Sequence, residues 1–139
     1  MEKKWFECKV KYQKMLDTGE RKTVTELYLV SADSVSDAEQ RIIEEMSSFS
    51  EGELTVKAVK EASYKEVFQH DEDKFYLCKV AFVTLDEDSG TEKKKASTIL
   101  VQASDFDTAG KYLKAGMKGT LSDYDILSIA ETAILDLYL

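Results

Sequence analysis

Trp5-Phe6-Glu7-Cys8-Lys9-Val10 returns seventy residues later as Phe75-Tyr76-Leu77-Cys78-Lys79-Val80. Internal repetition restricts the available folds strongly, because each copy must supply a similar supersecondary element and neighbouring copies must share the burial of their apolar faces. The echo continues in order. Leu16-Asp17-Thr18-Gly19 answers to Leu85-Asp86-Glu87-Asp88-Ser89-Gly90, and Tyr28-Leu29-Val30-Ser31-Ala32 to Ile99-Leu100-Val101-Gln102-Ala103. Val35, Ala38, Ile42 and Met46 fall opposite Phe106, Ala109, Leu113 and Met117. Leu54, Val56, Val59 and Glu61 then align with Tyr124, Ile126, Ile129 and Glu131. Blocks kept in one register imply a duplicated unit. The expectation is a single compact domain over 1–139, built from repeats of about 3–68 and 74–139 and joined by the charged connector 69–73.

Each copy reads as strand, turn, strand, helix, strand. Phe6, Cys8, Val10 and Tyr12 alternate with Glu7, Lys9, Lys11 and Gln13, the period of a half-buried strand. Asp17-Thr18-Gly19 supplies a tight connection, and Thr23 to Val30 is rich in β-branched and aromatic residues that suit a returning strand. Ser34 to Asp37 announces a helix running to about Ser48, with Ala38, Ile42, Ile43 and Met46 as its apolar stripe. In the second copy Asp105 or Asp107 caps, Ala109, Tyr112, Leu113 and Met117 form the stripe, and Gly116 and Gly119 end it. The third strand spans roughly 54–68 and its counterpart 124–137. Val56 with Val59, and Ile126 with Ile129, break strict alternation and predict a bulge at the same place in both.

The fold class is therefore α+β: two tandem ββαβ repeats related by a pseudo-two-fold, six strands in a mostly antiparallel arrangement, and both helices on one side. Whether the strands form one sheet or two packed sheets is left open by the pattern. One asymmetry bears on partners. The outward side of the second copy's first strand carries Phe75, Leu77, Ala81 and Val83, where the first copy carries Glu7, Lys9, Lys11 and Gln13. That face reads first as covered by the other copy or by the long final strand and otherwise as a contact surface, so Phe75, Leu77 and Val83, with Leu137 in the apolar C-terminal strand, are the candidate interaction residues.

Charge narrows the function classes. Nineteen Lys and Arg against twenty-seven Asp and Glu leave a net charge of -8, which disfavours general polyanion binding. The remaining route to nucleic acid or an anionic ligand is a local stripe of Lys9, Lys11, Lys22, Lys79, Lys93, Lys94 and Lys95 on the hairpins, competing with their reading as edge protection. Cys8 and Cys78 fall on the inward face, read as reduced core thiols, and two thiols do not make a tetrahedral zinc site. His70 reads as a solvated loop residue. Its neighbours Asp71, Glu72 and Asp73 point apart on an extended segment, and Asp86 to Gly90 reads as a hairpin turn, so no metal site, catalytic residue or cofactor is indicated. The charged opening at Met1 to Glu7 and the lack of a long apolar run point to a cytoplasmic protein with no membrane partner.

Taken together, Trp5 to Lys9, Val24-Thr25-Glu26 with Tyr28-Leu29-Val30, Ala38-Glu39, Ile42 to Met46, Tyr76 with Cys78-Lys79, Thr84 to Glu87, Leu100 to Ala103 and Gly116 to Thr120 make the chain resemble an uncharacterised domain-of-unknown-function family of about 140-residue proteins found mainly in Bacteroidota. The resemblance implies a bacterial or phage-associated intracellular protein and brings no activity, cofactor or catalytic residues. The leading functional reading is a small non-enzymatic module that binds a protein partner or itself. Nucleic-acid or anionic-ligand binding through the lysines is the first alternative. An enzyme with an unrecognised carboxylate-based site is the second.

Overall fold

A computed structural model describes residues 4–49, 51–120 and 123–139. Strand β1 (Lys4–Met15) buries Phe6, Cys8, Val10 and Tyr12 at every second position, as its pleat requires. It turns back where Gly19 takes a φ of +86°, open to glycine at no steric cost, and β2 (Arg21–Ala32) pairs with it antiparallel from Lys4 opposite Ala32 to Met15 opposite Arg21. Helix α1 (Val35–Met46) starts where the Ser34 Oγ accepts the Asp37 N–H at 3.2 Å, and it buries Ala38, Ile42 and Met46. Strand β3 (Glu51–Ala62) then lies antiparallel on the free side of β1. The expected bulge is there: Lys57 is the extra residue between Val56, opposite Val10, and Ala58, opposite Lys9.

After β4 (Glu66–Phe68) the order recurs as β5 (Lys74–Leu85), β6 (Glu92–Ala103), α2 (Phe106–Gly116), β7 (Tyr124–Glu131) and β8 (Ile134–Tyr138). The α2 cap is Asp105, whose Oδ1 accepts the Thr108 N–H at 2.7 Å. Leu127 is the extra residue in β7, between Ile126 and Ser128.

The fold is α+β, with eight strands in two mostly antiparallel four-stranded sheets. Their orders are β3-β1-β2-β8 and β7-β5-β6-β4. Six strands were expected. The difference lies in the long third strands, which stop at Ala62 and Glu131 and continue as the short β4 and β8, each parallel to a new neighbour. The Thr132 N–H and Oγ–H both donate to the Phe75 carbonyl, at 2.8 and 2.9 Å, which holds the chain at the end of β7. The Lys65 N–H donates to the Thr98 carbonyl at 2.8 Å and starts the new pairing of β4.

The chain forms two compact units, one of residues up to Ser63 with Ala133–Leu139 and the other of Tyr64–Thr132. In the first, α1 covers the sheet face carrying Phe6, Cys8, Val10, Tyr12, Tyr28 and Val30. In the second, α2 covers the face carrying Tyr76, Cys78, Val80, Phe82, Ile99 and Val101. Burial extends to positions facing away from each helix, including Leu29, Ser31, Phe75 and Leu100. At Gly116, the last residue of α2, a Cβ would come within 2.5 to 2.9 Å of the Phe68 ring. The missing side chain is what lets the ring of β4 lie against the helix.

The Ser31 Oγ is buried without a hydrogen-bond partner among the described residues. Such a group keeps its desolvation cost of about 1–3 kcal/mol. Ser31→Ala is expected to hold or raise stability, by up to about 1 kcal/mol, in urea denaturation followed by circular dichroism. A clear loss would show that the hydroxyl has a partner.

Candidate functional site

Glu26 is a charged residue set in the inward phase of β2. It lies on β2 in phase with Tyr28 and Val30, on the α1 side of the sheet, and its side chain is only 13% exposed. Buried carboxylates need donors. The hydroxyls of Tyr12 and Tyr28 both donate to Glu26 Oε1, the latter at 3.0 Å. Tyr12 reaches it because Val10 is opposite Glu26 and Tyr12 is the next inward residue on β1. Oε2 faces Lys14 Nζ at 4.0 Å, a charge contact too long for a hydrogen bond.

Strand β8 completes the site. Its parallel register sets Asp136 beside Tyr28 and Tyr138 beside Val30, and the rings of Tyr28 and Tyr138 stack at 5.8 Å with a 27° tilt. With Lys14, Phe49 and Leu135 these residues line an open recess of about 300 Å³. Phe49 is 62% exposed and Leu135 49% exposed.

The hydroxyls stay protonated well past neutrality. Burial, then the hydrogen bond to Glu26 and its charge, pushes Tyr12 up to about 12. The same causes in the same order push Tyr28 up further. Tyr138 is raised by burial and then by the charges of Asp136, Glu45 and Glu26. The arrangement holds one carboxylate in place with two buried tyrosine hydroxyls and sets the half-buried Tyr138 ring beside it.

The residues singled out in the sequence lie elsewhere. Phe75 is buried at 1% exposure. Leu77 and Val83 are half-buried. Leu137 sits on β8 but opposite Leu29, on the face away from the recess. All seven lysines are exposed, yet they divide between sheet faces. Lys9 and Lys11 face away from α1, in phase with Glu7, while Lys22 is opposite Lys14 on the other side. Lys93, Lys94 and Lys95 alternate, being opposite Thr84, Val83 and Phe82. Carboxylates hold two of them: Lys93 pairs with Asp86 at 3.0 Å and Lys94 with Asp125 at 3.2 Å. The Lys93 bond keeps the Asp86 carboxyl below its ordinary range.

The connector also differs from expectation. His70 is half-buried and stacks on Tyr112 at 3.7 Å between ring centroids. Its N–H donates to Gln102 Oε1 at 3.1 Å, and Gln102 Nε2 donates to the Glu72 carbonyl at 2.6 Å. Cys8 and Cys78 are free and buried, and burial pushes both thiols up to about 11. No three His, Cys, Asp or Glu side chains converge on a metal-sized site among the described residues, and no helix among them is long and apolar enough to cross a membrane.

These features define an α+β protein of two sheet-and-helix units, the first bearing an acidic, tyrosine-lined recess. The chain belongs to the family described as a domain of unknown function, DUF4494, whose model matches residues 4–139. That agrees with the resemblance read from the sequence. No curated protein and no solved structure matches the chain.

Acidities lowered by folding carry a sign. The thiols move from 9.0 to about 11 and Tyr12 from 10.0 to about 12, so above pH 9 the unfolded chain sheds these protons before the folded one. Their stabilisation is complete below pH 9 and is lost as pH rises towards 12. The urea midpoint is expected to fall across that window, and Tyr12→Phe to flatten its upper part. A midpoint level from pH 9 to 12 would contradict the burial of these groups.

Proposed function

We propose that the chain is a small non-enzymatic binding module, acting in the bacterial cytoplasm, that takes a peptide segment of a protein partner at the recess of the first unit. The observation that carries this reading is the pairing of a fixed polar floor, Glu26 with its two tyrosine donors, with a rim of large apolar side chains, Phe49 and Leu135, left open to water. Interfaces of this kind draw their energy from a few aromatic anchors and exclude water around them.

In this reading the two units descend from one duplicated ββαβ piece. The matching strand orders and the bulges at Lys57 and Leu127 support that. Divergence then freed one unit to carry a site. The lysine reading is less favoured, since Lys93 to Lys95 alternate in direction and two of the seven lysines are held by carboxylates.

Selection of a random displayed peptide library on the immobilised chain tests the proposal. Enriched peptides are expected to bind the wild type and to lose at least tenfold in affinity for a Phe49→Ser, Leu135→Ser double variant. No enrichment over the double variant, or enrichment of peptides indifferent to it, would overturn the reading. A concentration-dependent dimer in sedimentation, abolished by the same substitutions, would replace the peptide with a second copy.

A further inference from the structure

The recess of the first unit has a matching position in the second, and the two are filled differently. Tyr12 is the ninth residue of β1 and Phe82 the ninth of β5. Glu26 and Ser97 oppose the seventh residues of those strands, Val10 and Val80, while Tyr28 and Ile99 oppose the fifth, Cys8 and Cys78. Tyr138 pairs with Val30 as Phe68 pairs with Val101. Tyr12, Glu26, Tyr28 and Tyr138 are therefore replaced by smaller or apolar residues in the second unit, while Asp136, beside Tyr28, keeps a carboxylate counterpart in Glu66, beside Ile99.

The second unit supplies its own cation at this place. Lys65, just before the residue that pairs with Ile99, sets its ammonium 3.7 Å from the centroid of the Phe82 ring. An ammonium over a ring face is held by the ring's quadrupole. The corresponding position of the first unit, just before the residue that pairs with Tyr28, is Leu135. There the aromatic wall is richer and a largely buried carboxylate, Glu26, has been added, but the fourth strand brings no cation. Lys14 is the near substitute. Its side chain is 53% exposed and its Nζ stops 4.0 Å from Glu26 Oε2.

From this contrast we infer that the recess binds a cationic side chain, lysine or arginine, of the partner peptide. The Glu26 carboxylate would supply the charge, the half-buried Tyr138 ring, backed by Tyr28, the aromatic contact, and Phe49 and Leu135 the contacts to flanking residues. The inference rests on the peptide-binding reading and sharpens it. Charge complementarity supports it in the whole chain as well as locally, since a net charge of -8 favours encounter with a basic segment. Lys14 becomes an internal competitor that the incoming cation displaces.

The test is an amide-resolved NMR titration of the full chain with three probes: the peptide acetyl-Gly-Lys-Leu-amide, the same peptide with its lysine Nε-acetylated, and n-butylammonium. The unmodified peptide is expected to saturate shifts at Glu26, Tyr28 and Tyr138. Acetylation should weaken it at least tenfold, and Glu26→Gln, which keeps an acceptor for the tyrosines, should weaken it about tenfold. Lys14→Ala should tighten binding severalfold, an effect that a purely structural role of Lys14 would not produce. Equal binding of the acetylated peptide, or a Glu26→Gln variant with unchanged affinity, overturns the cation while leaving a peptide site in place. Equal affinity for n-butylammonium overturns the peptide as the source of the cation. Absence of shifts with all three probes at millimolar concentration overturns the inference, and enrichment of peptides lacking Lys and Arg in the library selection would do so without touching the broader reading.

Discussion

The parallel pairing of β8 with β2 is the contact on which the first unit depends. Leu27 to Val30 align with Ile134 to Tyr138, so the sheet begun by the N-terminal strands is finished by the last residues of the chain. Closing so long a loop is less costly than its length suggests, because the entropy of closure grows only with the logarithm of the number of residues. In return β2 gains a neighbour on its open edge, Ile134 is buried to 3% exposure, and the Tyr28 ring gains Tyr138 as a stacking partner. The second unit solves the same edge problem with β4 against β6.

A consequence is that the polar cluster of the first unit belongs to no single stretch of sequence. Tyr12 comes from the first strand, Glu26 and Tyr28 from the second, Asp136 and Tyr138 from the last. A carboxylate with little access to water is tolerable there because two hydroxyls, themselves kept protonated by burial, are aimed at it. In the second unit Phe82, Ile99 and Phe68 take these places, and Gly116 makes room for Phe68 against the helix. The same strand order thus supports a tyrosine-and-carboxylate recess in one case and a phenylalanine corner topped by Lys65 in the other.

Much of this was legible in the residues. Alternation placed β1 and β5, Ser34 and Asp105 marked the helix starts, and the broken phase at Val56 and Val59 marked a bulge, because these signals are local and each has its own physical cause. The ends of the third strands were not legible. Ser63-Tyr64-Lys65 and Thr132-Ala133 hold neither proline nor glycine, and the change of partner there is decided by strands far away in sequence. The site was half visible. A charged Glu26 in the inward phase of a strand, between Val24 and Tyr28, was a usable signal, whereas the approach of Tyr138 depended on the unforeseen pairing. Phe75 left two readings open because an apolar residue on a strand's second face reads alike whether it is covered by the fold or offered to a partner, and in the fold it is covered.

Amide hydrogen exchange along the intact chain tests the central pairing most directly. If β8 is an integral member of the first sheet, the amides of 134–138 that bond to β2 will exchange slowly and will lose protection together with those of β1 and β2 as denaturant is added. Exchange of 134–138 at the rate of an unstructured segment, with β1 and β2 still protected, would contradict the account.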